Sequence, residues 1–165
     1  MHGILIAATM LLDFITLTAL GMKLLGHGSA KPTGILLIVS GTFHFFVGLT
    51  LIFIVGDAYD GFIVWIFSYT FLFAGIVIGW DLDFKALGNA AFALGTIILL
   101  YAVDYFMAGY MLWTVILIIF VLLYYLFVLA CYEKVSDRVV GFCVLFAAFV
   151  CLLGGAPYLL GYSFM

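Results

Sequence analysis

Every lysine and arginine of this chain falls in or beside alternate gaps between long hydrophobic stretches. Lys23 and Lys31 flank the first gap, Lys85 sits in the third, and Lys134 and Arg138 sit in the fifth. The second and fourth gaps are marked only by acids: Asp57, Asp60 and Asp104. Basic residues near membrane spans collect on the cytoplasmic side. The segregation therefore predicts six spans, cytoplasmic loops at 24–31, 81–85 and 132–138, and both termini outside.

Composition leads to the same class. The chain is 69% hydrophobic and 8% charged, with a mean hydropathy of +1.44. A soluble domain of 165 residues cannot hide that much apolar surface, whereas a bundle in a bilayer presents it to lipid. Each span takes roughly 20 residues, so six leave only tight loops and no room for a soluble domain. The fold expected is a single all-α integral membrane domain over 1–165. Its helices fall at about 2–25, 32–55, 61–80, 86–107, 109–131 and 138–162. A transmembrane β-barrel would alternate polarity in segments of about ten residues. The continuous apolar run Thr114–Ala130 excludes that. The stretch His2–Leu24 is too long for a signal-peptide core and lacks a basic start, so it reads as a retained first helix.

The loops carry turn chemistry. Gly26 and Gly28 precede Pro32, which suits the first turn of helix two. Asp81 and Asp83 lie where they complement the dipole of helix four. Gly34, Gly41 and Gly48 recur on helix two, and Gly75 and Gly79 on helix three. Such stripes let helices approach closely in lipid. The other reading of this glycine face is a pore lining with exposed carbonyls. Six spans with both ends outside also allow two inverted triplets, although the two halves share no sequence similarity.

Few groups within the spans can ionise. Asp13 lies near the centre of helix one, where a carboxylate costs about 2.5–3.5 kcal/mol on insertion scales. It should face the bundle interior, and Thr9 and Thr16 share its face. Two readings stand: a polar residue lining a conduit, or a structural Asp between helices. His44, one turn after Ser40, reads as a satisfied interior group. Cys131, Cys143 and Cys151 are odd in number and lie in apolar segments, so no disulfide framework is expected. No metal-ligand spacing or cofactor motif appears. Ser40, His44 and Asp13 are the sole candidates for a nucleophilic set, and no elbow or phosphate loop accompanies them. A catalytic function is not expected, and the net charge of −3 is too small to imply a nucleic-acid partner.

Aromatics make up 19% of the chain. Trp65, Trp80 and Trp113 lie toward span ends, as interfacial aromatics do. Phe67 and Phe71 are deep in helix three and one turn apart; Tyr124 and Tyr125 are within helix five. They are core filler unless they face a lumen. There they would form an apolar slit with hydroxyls at its edge, passing a small flat neutral solute and excluding ions.

Helix three and its exit read Phe67-Ser68-Tyr69-Thr70-Phe71-Leu72-Phe73-Ala74-Gly75-Ile76, then Gly79-Trp80-Asp81-Leu82-Asp83. This resembles the AmiS/UreI family of urea and short-chain amide channels, which carries an aromatic-rich run there followed by a Gly-Leu-acid turn. Leu87-Gly88, Gly141-Phe142 and Ala156-Pro157 resemble further family positions. The resemblance implies a hexamer of six-helix protomers, each with its own pore, constricted by aromatics of helices three and five. By position these are Phe67, Phe71 and, counting back from Pro157, Tyr125. Thr70, Tyr124 and Asp13 complete the candidate pore lining. Several positions depart from the family: Ile118 and Val121 replace tryptophans, Val77 replaces an Asn, and Phe149 falls where some urea channels have an acid.

The leading expectation is a passive channel for urea, acetamide or a similar small neutral amide, in a prokaryotic inner or plasma membrane, without cofactor. One alternative is a small monocarboxylate (acetate-type) transporter or proton-coupled channel. The Asn-Pro-Ala-Pro-Leu-Gly-Leu motif of acetate-uptake proteins does not precede helix one. A further alternative is a non-conducting accessory membrane subunit. Acid gating is not expected. The loops 56–61 and 104–109 contain no His, and an unperturbed carboxylate titrates near pH 4.

Overall fold

The computed structural model describes residues 2–159, with side chains to residue 156. The expected end of helix six at 162 lies outside the described residues, as does the side chain of Pro157. Six helices are long and apolar enough to cross a membrane. They are α1 (His2–Leu24), α2 (Ala30–Thr50), α3 (Ala58–Gly79), α4 (Phe84–Met107), α5 (Met111–Cys131) and α6 (Asp137–Leu159).

Local chemistry explains the ends. α3 starts ahead of position 61 because Asp57 caps it, its side chain accepting from the Asp60 N–H. Asp83 caps α4 in the same way through the Lys85 N–H. α2 starts at Ala30, which places Pro32 in its first turn. The second span does not stop at Thr50 but widens into a π-helical turn, Leu51–Val55. That turn ends at Gly56, whose φ of 79° lies in the left-handed region that glycine reaches freely.

Each helix packs on its chain neighbours, and α6 closes back on α1. The six spans therefore form a ring around a central lumen. The closest pairs are α2–α3, α1–α6 and α4–α5. A shift by three helices would carry α2–α3 onto α5–α6, which is a looser pair.

The glycine stripes sit at the tight seams. A Cβ on Gly34 would stand 2.5 Å from both the Gly75 carbonyl oxygen and the Gly79 Cα. One on Gly41 would stand 2.8 Å from Leu72, and one on Gly48 2.3 Å from the Trp65 ring. Of the two readings of this face, the structure displays the packing one. Between these contacts the Ser68 hydroxyl donates to the Gly41 carbonyl at 2.8 Å and the Trp65 indole donates to the Phe45 carbonyl at 3.0 Å. Polar groups that bond across helices add to the van der Waals contact that holds bundles together in lipid. Large aromatics such as Phe46, Phe53, Phe142 and Phe146 face outward, where a bilayer or a neighbouring copy would cover them.

Candidate functional site

Two cavities lie along the lumen. The larger, of about 1000 Å³, opens at the end of the ring where α1 begins. The smaller, of about 60 Å³, lies toward the end that carries the lysines and Arg138. On this measure one water molecule needs about 10–15 Å³, so the smaller cavity has room for a small molecule only. Phe67 and Phe120 border both cavities. Their rings meet edge to face with centroids 5.0 Å apart, which makes them the partition between the two cavities.

The mouth of the large cavity is polar. His2 Nε2 lies 2.8 Å from Asp60 Oδ2 and 3.2 Å from Asp57 Oδ2. The Tyr105 hydroxyl donates to the other oxygen of Asp60, and the Tyr59 hydroxyl donates to Asp104 at 2.6 Å. His2, Asp57 and Asp60 offer three ligand atoms within 4.8 Å of one another. Their sequence spacing gives no sign of this, because the ring brings the start of α1 to the start of α3. Hydrogen bonds among the side chains account for the cluster as it stands.

At the floor of this cavity Asp13 on α1 meets His44 on α2. The Nε2 atom of His44 is 3.0 Å from Asp13 Oδ1, and both residues are buried. The ring's Nδ1 lies 2.8 Å from the Ser40 carbonyl oxygen, to which it donates. The contact between Nε2 and Oδ1 is at ion-pair distance but lacks hydrogen-bond alignment, and the Ser40 hydroxyl has no bonding partner among the described residues. Thr9 and Thr16 share the Asp13 face but donate to the Ile6 and Leu12 carbonyls of their own helix. Ser40, His44 and Asp13 do not make a nucleophilic relay. Both imidazole nitrogens are engaged, one by a backbone carbonyl and one by a carboxylate, and neither by the Ser40 hydroxyl. His44 is thus an interior group with an ionisable partner on another helix, which no local spacing reveals.

Below the partition the walls are apolar. Phe71, Ala74, Leu94 and Phe127 line the small cavity, together with Thr70 and Tyr124. Thr70 donates to the Ile66 carbonyl at 2.8 Å, so the adjoining Tyr124 hydroxyl donates to Thr70. Both hydroxyls are spent on the protein, and the lining offers a passing solute little but hydrocarbon and ring faces. An ion would shed its water here without replacement.

The sequence-derived residues separate in this frame. Phe67, Phe71, Thr70 and Tyr124 border the small cavity, and Asp13 borders the large one. Phe71 also packs on the His44 ring, with centroids 5.4 Å apart. Tyr125 lies elsewhere. Its ring packs on Phe92, its hydroxyl is 3.2 Å from Thr96 Oγ1, and it lines neither cavity. One residue along a helix turns the side chain by about 100°, enough to move Tyr125 from the lumen toward α4. The α5 partner of Phe67 is Phe120, one turn before Tyr124. The matching one-turn spacing of Phe67 and Phe71 is the sequence signal that points to it. Phe149, at the position of an acid in some urea channels, faces outward and lines neither cavity.

The comparisons with known proteins agree with the fold. The chain's architecture is similar to the crystal structure of the urea channel from the human gastric pathogen Helicobacter pylori, with a TM-score of 0.80 and 12% identity. That match covers 96% of this chain and 99% of that one. A cryo-electron microscopy structure of the H. pylori urea channel in a closed state gives a TM-score of 0.80 at 14% identity, covering 95% and 99%. No curated protein matches the sequence. The model of the AmiS/UreI family of transporters matches residues 5–162. With almost the whole chain covered, this multi-pass membrane protein belongs to the AmiS/UreI family.

Proposed function

We propose that the protein is a passive channel for urea, acetamide or a similar small neutral amide, with one conduit inside each protomer. The carrying observation is the pair of lumenal cavities divided by the Phe67–Phe120 contact. A planar amide passes edge-on once the two rings part, whereas a hydrated ion needs a far wider opening. Phe71 and Tyr124 extend the apolar lining, and Asp13 gives the wider half its polarity. The outward-facing aromatics suit assembly with further copies, and a hexamer is the assembly that the family resemblance supports.

Both termini face outward in this reading, supported by the segregation of Lys and Arg. The large cavity then opens outside. Flux at neutral pH needs no acid trigger in this reading: the loops at the acidic end hold no histidine, and His2, which meets them at the mouth, is already paired with Asp57 and Asp60. Proteoliposomes in a stopped-flow shrinkage assay test the proposal. Urea and acetamide should equilibrate about tenfold faster than in protein-free vesicles, and acetate should not. A cysteine in place of Ser136 should stay unlabelled by an impermeant reagent added outside intact cells. Amide flux no faster than in protein-free vesicles contradicts the channel, and outside labelling at position 136 contradicts the orientation. The Asp13–His44 pair favours one second reading, a proton-coupled transporter of small monocarboxylates, because it is a buried group able to exchange a proton.

A further inference from the structure

Asp13 and His44 are fixed by chemistry to hold one proton between them. A backbone carbonyl only accepts, so the Nδ1 that faces the Ser40 oxygen at 2.8 Å carries a hydrogen. In a neutral imidazole Nε2 would then be bare, 3.0 Å from the buried Oδ1 of Asp13. Two bare acceptors do not face each other where both atoms are buried from water. The pair therefore carries one further proton, on Nε2 or on the carboxyl group, and as a whole it is uncharged. The Oδ1 atom is sealed against His44, yet Asp13 borders the large cavity. That leaves Oδ2 as the oxygen within reach of a molecule above the Phe67–Phe120 partition. The hydroxyls of Thr9 and Thr16 are committed to their own helix, so neither donates to it.

We infer that Asp13 and His44 are the solute-reading pair of the conduit. Asp13 accepts an N–H from the solute, and His44 behind it acts as a positioning residue that cancels the charge and orients the carboxylate. The inference rests on the channel reading above. The recognised class is neutral molecules bearing N–H, because an uncharged pair attracts neither anions nor cations and presents an acceptor. A solute without N–H would strip water from the carboxylate and leave it unpaired. Sites built to bond a polar hydrogen reject analogues that lack it far more strongly than pockets reject a change of size.

The test uses two isomers of identical composition, propionamide with an NH2 group and N,N-dimethylformamide with no N–H. Fluxes into proteoliposomes are corrected for protein-free vesicles. The wild-type protein should favour propionamide by about tenfold or more. Asp13→Leu should bring the ratio to within about twofold, whereas Asp13→Asn should keep it, since an amide oxygen also accepts. His44→Leu should lower the ratio by leaving the carboxylate uncompensated. The double variant Asp13→Asn/His44→Leu should restore it, because Asn needs no counter-charge; a packing role for His44 gives no such rescue. A ratio unchanged in Asp13→Leu, or a double variant no better than His44→Leu, overturns the inference. If the wild type passes neither isomer, both are too large for the conduit, and the channel reading is decided by urea and acetamide. The pair is then judged by infrared difference spectra of purified wild type and Asp13→Asn with added acetamide, which also serve if a leucine variant does not fold. A shift of the Asp13 carboxylate band supports it, and an unmoved band overturns it.

Discussion

Phe120→Ala should raise acetamide flux by about tenfold and let larger amides through, while Phe120→Trp should slow flux by a similar factor. Phe67 and Phe120 separate a cavity of about 1000 Å³ from one of about 60 Å³. Removing one ring joins the two spaces. Enlarging it makes the two rings harder to part for an edge-on amide. The control is Tyr125→Ala, which should leave flux within about twofold of wild type, because that ring sits against Phe92 and Thr96 outside the lumen. Stopped-flow traces of the three variants at equal protein density decide the matter. A large effect at Tyr125 with none at Phe120 would show that the solute travels by another route.

Gly34→Leu should yield little or no folded protein, and Gly34→Ala should cost about 1–3 kcal/mol, the range for overpacking a tight core. The Cβ of any side chain at this position would stand 2.5 Å from the backbone of Gly75 and of Gly79. Backbone atoms at a helix seam cannot step aside as a side-chain tip can, so α2 and α3 would have to separate. That seam also carries the Ser68–Gly41 bond and supports the wall that bears Phe67 and Phe71. Thermal unfolding in detergent, followed by size-exclusion chromatography, reads both effects. Gly56 offers the contrast. It has open space around it and a φ of 79°, so Gly56→Ala should act only through backbone strain and leave helix packing intact.

The spans were legible because hydrophobicity over some twenty residues and the placement of five basic residues are one-dimensional signals. Phe67 and Phe71 were legible for a similar reason, since they share a helix and lie one turn apart. Phe120 was not, because its role depends on how α5 is rotated in the ring. A count from Pro157 reaches Tyr125 with no knowledge of that rotation. The Asp13–His44 contact and the His2–Asp57–Asp60 cluster join different helices, so no spacing within one segment encodes them. Asp13 announced itself only through the cost of a carboxylate at mid-span, which says that a partner exists without saying which.

The central claim is that solute moves down its own gradient through the ring, uncoupled from protons. It is tested most directly by the final level of labelled acetamide inside proteoliposomes, measured with and without an imposed proton gradient. The account predicts that the internal concentration rises to the external one and stops there in both cases, with similar rates at pH 5 and pH 7.5. Accumulation above the external concentration when the gradient is applied would contradict it. That outcome would make the Asp13–His44 pair the seat of a proton-coupled transporter.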